Sequence, residues 1–235
     1  MERTVVRPLQ AKAAPKRRGK IEVAPPKKAE MVQIKPPNFK TAIIYIRGVS
    51  PYVQHAFSEK MRKQYKARQE SGSQANSKKN REPKDFERLY QEAMHKSRDG
   101  WIGIPAPSFR NASISACRLV GFKMTLAKLS LFVIPDGFDA VHGTPLVRII
   151  GTPRQHEAIV RNETGVIDYR VRPMWDEWSA KVKIRWDADQ FSASDIVNLM
   201  SRVGAQVGIG EGRADSPNSN GQGWGHFEVV GGAQQ

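Results

Sequence analysis

Residues 178–186 read WSAKVKIRW, and this stretch decides the fold. Trp178, Ala180, Val182, Ile184 and Trp186 alternate with Ser179, Lys181, Lys183 and Arg185. A period of two over this length is a strand with one buried face and one wet, cationic face. Just downstream, Ser192 and Asp195 have the spacing of a capping box that opens a helix. Ile196, Leu199, Met200 and Val203 recur at helical spacing and predict its buried face, with Gly204 ending it. A glycine-rich loop follows, and Phe227 to Val230 predict a closing strand. Strand, helix and strand in so few residues make half of a ferredoxin-like (RRM-like) βαββαβ fold, so the expected class is α+β.

Working back from this unit, Ala42 to Ile46 form an apolar run that predicts a central strand, broken by Gly48, Ser50 and Pro51. Val53, Phe57, Met61 and Tyr65 then recur every four residues, which predicts a helix with Lys60, Arg62, Lys63, Lys66 and Arg68 on its other face. Residues 71–83, with Lys78 and Lys79, read as a polar loop. A second helix is predicted over 84–97, with Phe86, Leu89, Tyr90 and Met94 on one face. Together 58–97 read as a basic helix–loop–helix insertion. Trp101 to Ile104 predict a short strand, and Pro105 and Pro107 lead into a helix with Ser108 as its N-cap. Its expected buried face is Phe109, Ala112, Ala116, Leu119 and Val120, while Arg110 and Arg118 lie two turns apart. Further strands are predicted near 128–134, 146–151 and 166–172.

Charge bears on partners. The chain of 235 residues has a formal net charge of +15 and a pI near 10.1. Residues 1–40 hold 11 Lys/Arg against 3 Asp/Glu, and residues 58–96 hold 11 against 6. Such segments favour polyanions, nucleic acid first. Residues 1–40 are rich in Pro, Lys, Arg and Ala and lack apolar periodicity, so they read as a disordered basic arm. The domain is expected over 41–230, with 231–235 a tail. Cys117 is the one cysteine, which excludes an intrachain disulfide and reads as a buried apolar residue. No apolar run reaches membrane-spanning length and no secretory h-region is present, which predicts a cytoplasmic protein.

The glycines carry the sharpest pattern. Gly208, Gly210 and Gly212 alternate ahead of Arg213, and Gly221, Gly223 and Gly225 alternate around Trp224 before His226 and Phe227. Alternating glycines let another backbone approach closely, and exposed N–H groups there can hold phosphate oxygens. No Gly-Lys-Ser/Thr follows, and the loop runs from helix to strand, so it is neither a Walker loop nor a dinucleotide fingerprint. A pair of bulges and turns is the purely structural alternative.

The segment DIVNLMSRVGAQVGIGEGR (195–213) with NGQGWGHFEV (220–229) resembles the C-terminal signature of the RAMP superfamily, the ferredoxin-like RNA-binding and RNA-processing proteins of CRISPR systems. Gly208, Gly210, Arg213, Gly223, Gly225 and Phe227 occupy the signature positions. GIPAPSFRNASISACR (103–118) is similar to a second stretch of that family through Ile104, Pro105, Ser108, Arg110 and Arg118, with Asn111 where the pattern prefers glycine. The chain is also similar to proteins carried by tailed phages and prophages. The resemblance implies either a backbone subunit that assembles along a single strand or a subunit that cuts RNA at a histidine-centred site. For the latter it points to His55, with Tyr52 and Lys60 nearby, which would supply the base and the cation of a metal-free cleavage.

The leading expectation is a non-enzymatic protein that binds single-stranded RNA or DNA and self-assembles into a homo-oligomer or filament, in a bacterial cell or encoded by a phage. Its expected contacts are Lys63, Lys66, Lys78, Lys79, Arg110, Arg118, Lys181, Lys183, Arg185, Gly208, Gly210, Arg213, Gly223, Trp224 and Gly225. Basic grooves with aromatic platforms suit single strands, because every base offers a stacking face. The alternatives are a phage structural or scaffold protein touching DNA, and the metal-free ribonuclease. No cofactor, metal site or membrane partner is expected.

Overall fold

The computed structural model describes residues 34–56, 63, 66–67, 84–161, 167–216 and 222–234. The chain divides after Pro36, and the unit from Pro37 to Gln235 holds the elements that follow. It is an α+β domain with antiparallel sheets. β1 (Phe39–Gly48) lies between β9 (Ser179–Asp187) and β10 (Phe227–Gln234). On the other side of β9 come β4 (Leu131–Ile134) and β6 (Pro145–Ile150), and β6 pairs in turn with β3 (Gly103–Pro105) and β5 (Gly137–Phe138). No helix among the described residues is long and apolar enough to cross a membrane.

The alternation in β9 works as its sequence demands. Trp178, Ala180, Val182, Ile184 and Trp186 are buried in one cluster with Ala42, Ile44 and Ile46 of β1. Against them pack α2 (Ala106–Leu119), through Phe109, Ala112 and Ala116, and α4 (Ala193–Arg202), through Ile196, Leu199 and Met200. Two of the buried indoles find partners, Trp178 Nε1 donating to the Ser50 carbonyl and Trp186 Nε1 to the Phe191 carbonyl, both at 2.9 Å, while Trp175 Nε1 has none among the described residues. The two bonds remove the penalty of burying those polar N–H groups. Ser192 and Asp195 form the reciprocal capping box of α4.

Several boundaries move. Phe39 and Lys40, assigned to the arm by sequence, open β1 because they pair with Asp187 and Trp186. Gly231 to Gln234, assigned to the tail, extend β10 because their backbones pair with Ala42 to Tyr45. Ser108 is not the N-cap. α2 starts at Ala106, since Pro107 in the first turn needs no N–H acceptor. Leu119 and Val120 are exposed where the helix runs out beyond the core. Residues 124–130, partly assigned to strand, form α3 (Met124–Ser130). Gly204 does not end α4. The chain continues through a π-helical turn, Val203–Val207, and a Cβ on Gly204 would lie 1.9 Å from the Phe227 carbonyl oxygen.

The helix predicted from Val53 is contradicted at its start. Tyr52 and Val53 form β2, paired with Trp175 and Met174 of β8 (Ile167–Trp175), which pairs with β7 (Arg154–Arg161) to make a second sheet. Burial of Tyr52 against Trp175 and Trp178, ring centres 5.5 Å away in each case, outweighs the four-residue spacing. Lys63 and Lys66 have helical backbone and are exposed, while Lys60, Lys78 and Lys79 lie outside the described residues. The predicted 84–97 helix is shorter, α1 (Phe86–Glu92), because Lys96 and Ser97 bridge to Ile102 and Asp139.

Candidate functional site

Pro51 and Ser50 turn the chain out of β1 and into β2, α2 presents its polar face alongside, and the glycine loop folds over both. Between them lies a cleft of about 390 Å³, lined by Gln54, His55, His95, Ser108, Asn111, Ser115, Glu211 and Arg213 among others. Ser108, Asn111 and Ser115 sit at helical spacing opposite the buried Phe109–Ala116 stripe.

The loop is held by its own glycines. Gly208, Gly210, Gly212, Gly223 and Gly225 all have φ between 65° and 81°. Gly225 packs so tightly that a Cβ would lie 1.8 Å from the Ile209 carbonyl oxygen, and a Cβ on Gly210 would meet the Tyr52 ring at 2.5 Å. The close-approaching backbone is therefore the chain's own. Ile209 N–H donates to the Gly225 carbonyl, Gly225 N–H to Pro51 and Glu211 N–H to Val53. The N–H groups of Gly210, Gly212 and Arg213 have no acceptor among the described residues. Arg213 uses one N–H on the Gly210 carbonyl, 3.1 Å away, which leaves most of its guanidinium fork for the cleft.

Glu211 is the electrostatic hub. Arg172, buried in β8, reaches its Oε1 at 2.5 Å, Arg170 lies 3.6 Å away, and His55 Nδ1 stands 3.5 Å from Oε2. Burial pushes the Glu211 carboxyl up, but His55, Arg172 and Arg170 together outweigh it and hold it below the usual carboxylate range. Arg170 and Arg172 are both engaged with this carboxylate.

A second polar cluster closes the opposite wall. His95 Nδ1 is 3.0 Å from Asp139 Oδ2, and Asp139 is buried, accepting the N–H groups of Val141 and His142. Burial pushes Asp139 up, but the His142 N–H, the His95 ring and the Val141 N–H pull it below its ordinary value. Burial also dominates at His95, lowering its pKa despite the carboxylate. Buried Gln54 aligns the wall: it accepts the His95 N–H and donates to the Gly103 carbonyl and the Tyr52 hydroxyl.

The sequence-predicted residues divide on this geometry. Gly210, Arg213 and His55 meet in the cleft. Tyr52 reaches its floor, but as a fully buried core residue whose hydroxyl burial raises far above its ordinary value, so it is no acid–base group at working pH. Arg118 pairs with Asp215 of the loop at 3.1 Å. Arg110 points elsewhere, donating to the Leu131 and Lys128 carbonyls. Trp224 is a strut: its ring lies 5.3 Å from His156 and 5.8 Å from the Arg172 guanidinium. Lys181, Lys183 and Arg185 lie on β9, away from this cleft. Among the described residues no three His, Cys, Asp or Glu side chains gather as a metal site.

Neither a scan against protein-family models nor a search of curated proteins gave a match. Sequence reasoning missed His95, Asp139 and Gln54. Their contacts join positions 44 and 41 residues apart, and no local pattern signals such pairs.

Proposed function

We propose that the protein binds single-stranded nucleic acid without cutting it. The observation that carries this reading is the cleft: it brings together Arg213, backbone N–H groups of the glycine loop and the hydroxyl and amide side chains of α2. Phosphate oxygens are suited to such donors, and sugar hydroxyls to the Ser and Asn groups. The net charge of +15 supports the same partner. The order β10-β1-β9-β4, all antiparallel, with α2 between β1 and β4 and α4 between β9 and β10, supports a ferredoxin-like core and agrees with the RAMP resemblance. The test is an anisotropy titration of labelled single-stranded RNA and DNA. Affinity should fall by orders of magnitude between about 50 and 200 mM salt, as counterion release requires. An absence of binding to either strand at low salt would refute the reading.

The His95–Asp139 pair favours a second reading, metal-free RNA cleavage, with His95 in place of the expected His55. Asp139 takes the Nδ1–H, which leaves the Nε2 lone pair to accept a proton. The base would take the 2′-OH proton, the 2′-oxygen would attack phosphorus, and the 5′-oxygen would leave with a proton from water. The products are a 2′,3′-cyclic phosphate and a 5′-hydroxyl. Cleavage of RNA in chelator, lost in His95→Ala, would establish this reading over the first.

A further inference from the structure

The face of the main sheet opposite α2 and α4 has its own chemistry. In register across β1 and β9, Tyr45 stands beside Lys181, Ile43 beside Lys183 and Thr41 beside Arg185. Side chains opposite each other in an antiparallel pair share a face. Tyr45 is on a central strand yet 44% exposed, and no aromatic neighbour stacks on it among the described residues. Its partner on the β10 side is Gly231, which has no side chain to cover the ring. Lys181 and Arg185 are exposed and Lys183 half-buried.

The charge along this face is uneven: at one end Arg47 of β1 meets Glu228 of β10, while the row on β9 has no such partner. Lys84, Arg118, Arg154, Arg170 and Arg172 each meet a carboxylate. Lys181, Lys183 and Arg185 meet none among the described residues. Arg185 instead lies over two rings, 4.9 Å from the centre of Phe39 and 5.1 Å from that of Phe132. Phe39 is itself 39% exposed. Alternate residues of one strand lie about 6.6 Å apart, so the three cations form an evenly spaced row beside the exposed rings of Tyr45 and Phe39.

We infer that this sheet face is a base-stacking platform, on which a single strand lays a base against Tyr45 while its phosphates run along Lys181, Lys183 and Arg185. The inference rests on the proposed binding of single strands and adds a second surface, distinct from the glycine-loop cleft. Uncompensated cations in a row fit a polyanion, and an uncovered ring fits a base of any identity. An acidic protein segment would match the charge but has no use for the ring.

The test compares a labelled thymidine oligonucleotide with an abasic phosphodiester of equal length, on wild type, Tyr45→Phe, Tyr45→Ala and the pair Lys181→Gln/Lys183→Gln. Melting curves check that each variant is folded. Wild type should prefer the base-bearing strand roughly tenfold or more. Tyr45→Phe should keep that preference and Tyr45→Ala lose it. The lysine pair should weaken both ligands and lower the salt slope by about 0.7 for each phosphate left without its cation. If Arg213→Ala weakens binding while Tyr45→Ala leaves the preference intact, the platform is wrong and the binding reading stands. If wild type binds neither ligand, the binding reading itself falls. Polyglutamate of equal charge binding as tightly as the oligonucleotide overturns the platform in favour of a protein partner.

Discussion

Nη1 of Arg172 sits 2.5 Å from Oε1 of Glu211, which ties strand β8 of the second sheet to the glycine loop. Arg172 is buried, and its Nε has no partner among the described residues. Removing the carboxylate therefore strands a buried cation. Glu211→Gln should cost about 3 kcal/mol of stability in urea unfolding, and Arg172→Met added to it should recover much of that loss. A Glu211→Gln midpoint equal to wild type would mean that the loop does not depend on this pair.

Gly225 and Gly223 separate conformational strain from crowding. Both have φ in the left-handed region, 75° and 65°. A Cβ on Gly223 meets its nearest atom at 3.9 Å, whereas one on Gly225 runs into the Ile209 carbonyl at 1.8 Å. Gly223→Ala should cost about 1–2 kcal/mol, and Gly225→Ala more than about 4 kcal/mol or the fold itself. Equal losses would show that the backbone angle alone sets the cost.

Stability should fall with pH from neutrality downward. His95 is held below the ordinary histidine value by burial, and His156 by burial and then by Arg172 and Arg154. The unfolded chain therefore takes these protons first, and stability declines as pH drops below about 6.5. Asp139 and Glu211 have lowered folded-state values, so their contribution is complete above the ordinary carboxylate range and is lost as pH falls through it. Urea midpoints at stepped pH should decline in both windows, and His95→Gln should flatten the upper one. A midpoint that rises on acidification contradicts the assignment.

Arg213 and Arg118 both lie at the loop, yet only Arg213 should matter for affinity. Arg118 is 59% exposed by side chain and paired with Asp215, and such pairs contribute about 0–1 kcal/mol. Arg213→Ala should weaken oligonucleotide binding at fixed salt without moving the melting temperature. Arg118→Ala should leave both within about twofold and about 2 °C. Matching affinities for Arg213→Ala and wild type would remove the cleft as the binding site.

What the sequence made legible follows from where the determinants lie. β9, α4 and its capping box were readable because period two, period 3.6 and a three-residue side-chain exchange are local signals. The alternating glycines were readable as a tight loop, but not which backbone would press on them, since Ile209 meets Gly225 only through the fold. β2 was misread because Val53 and its spacing mimic a helix, while its burial comes from Trp175 and Trp178 more than a hundred residues on. β7 (RQHEAIVR) was missed because its charged sequence alternates weakly, and only pairing with β8 makes it a strand. Nor does the sequence signal that Arg118, Arg170 and Arg172 are each engaged by a carboxylate, since Asp215 and Glu211 reach them only through the fold.

The pairing of β1 also bears on how the chain acquires its structure during synthesis. The first strand of the sheet is flanked by the two strands made last: Ala42 pairs with Ile184 on one side and Gln234 on the other. Until those segments leave the ribosome, Ile44 and Ile46 have neither neighbour, and both edges of β1 stand open. Contacts this distant in sequence are slow to form, and an apolar strand that waits for them is exposed to wrong pairing. Nascent chains stalled before β10 should therefore bind chaperones and be cut readily by protease, and resistance should appear only after the last strand emerges.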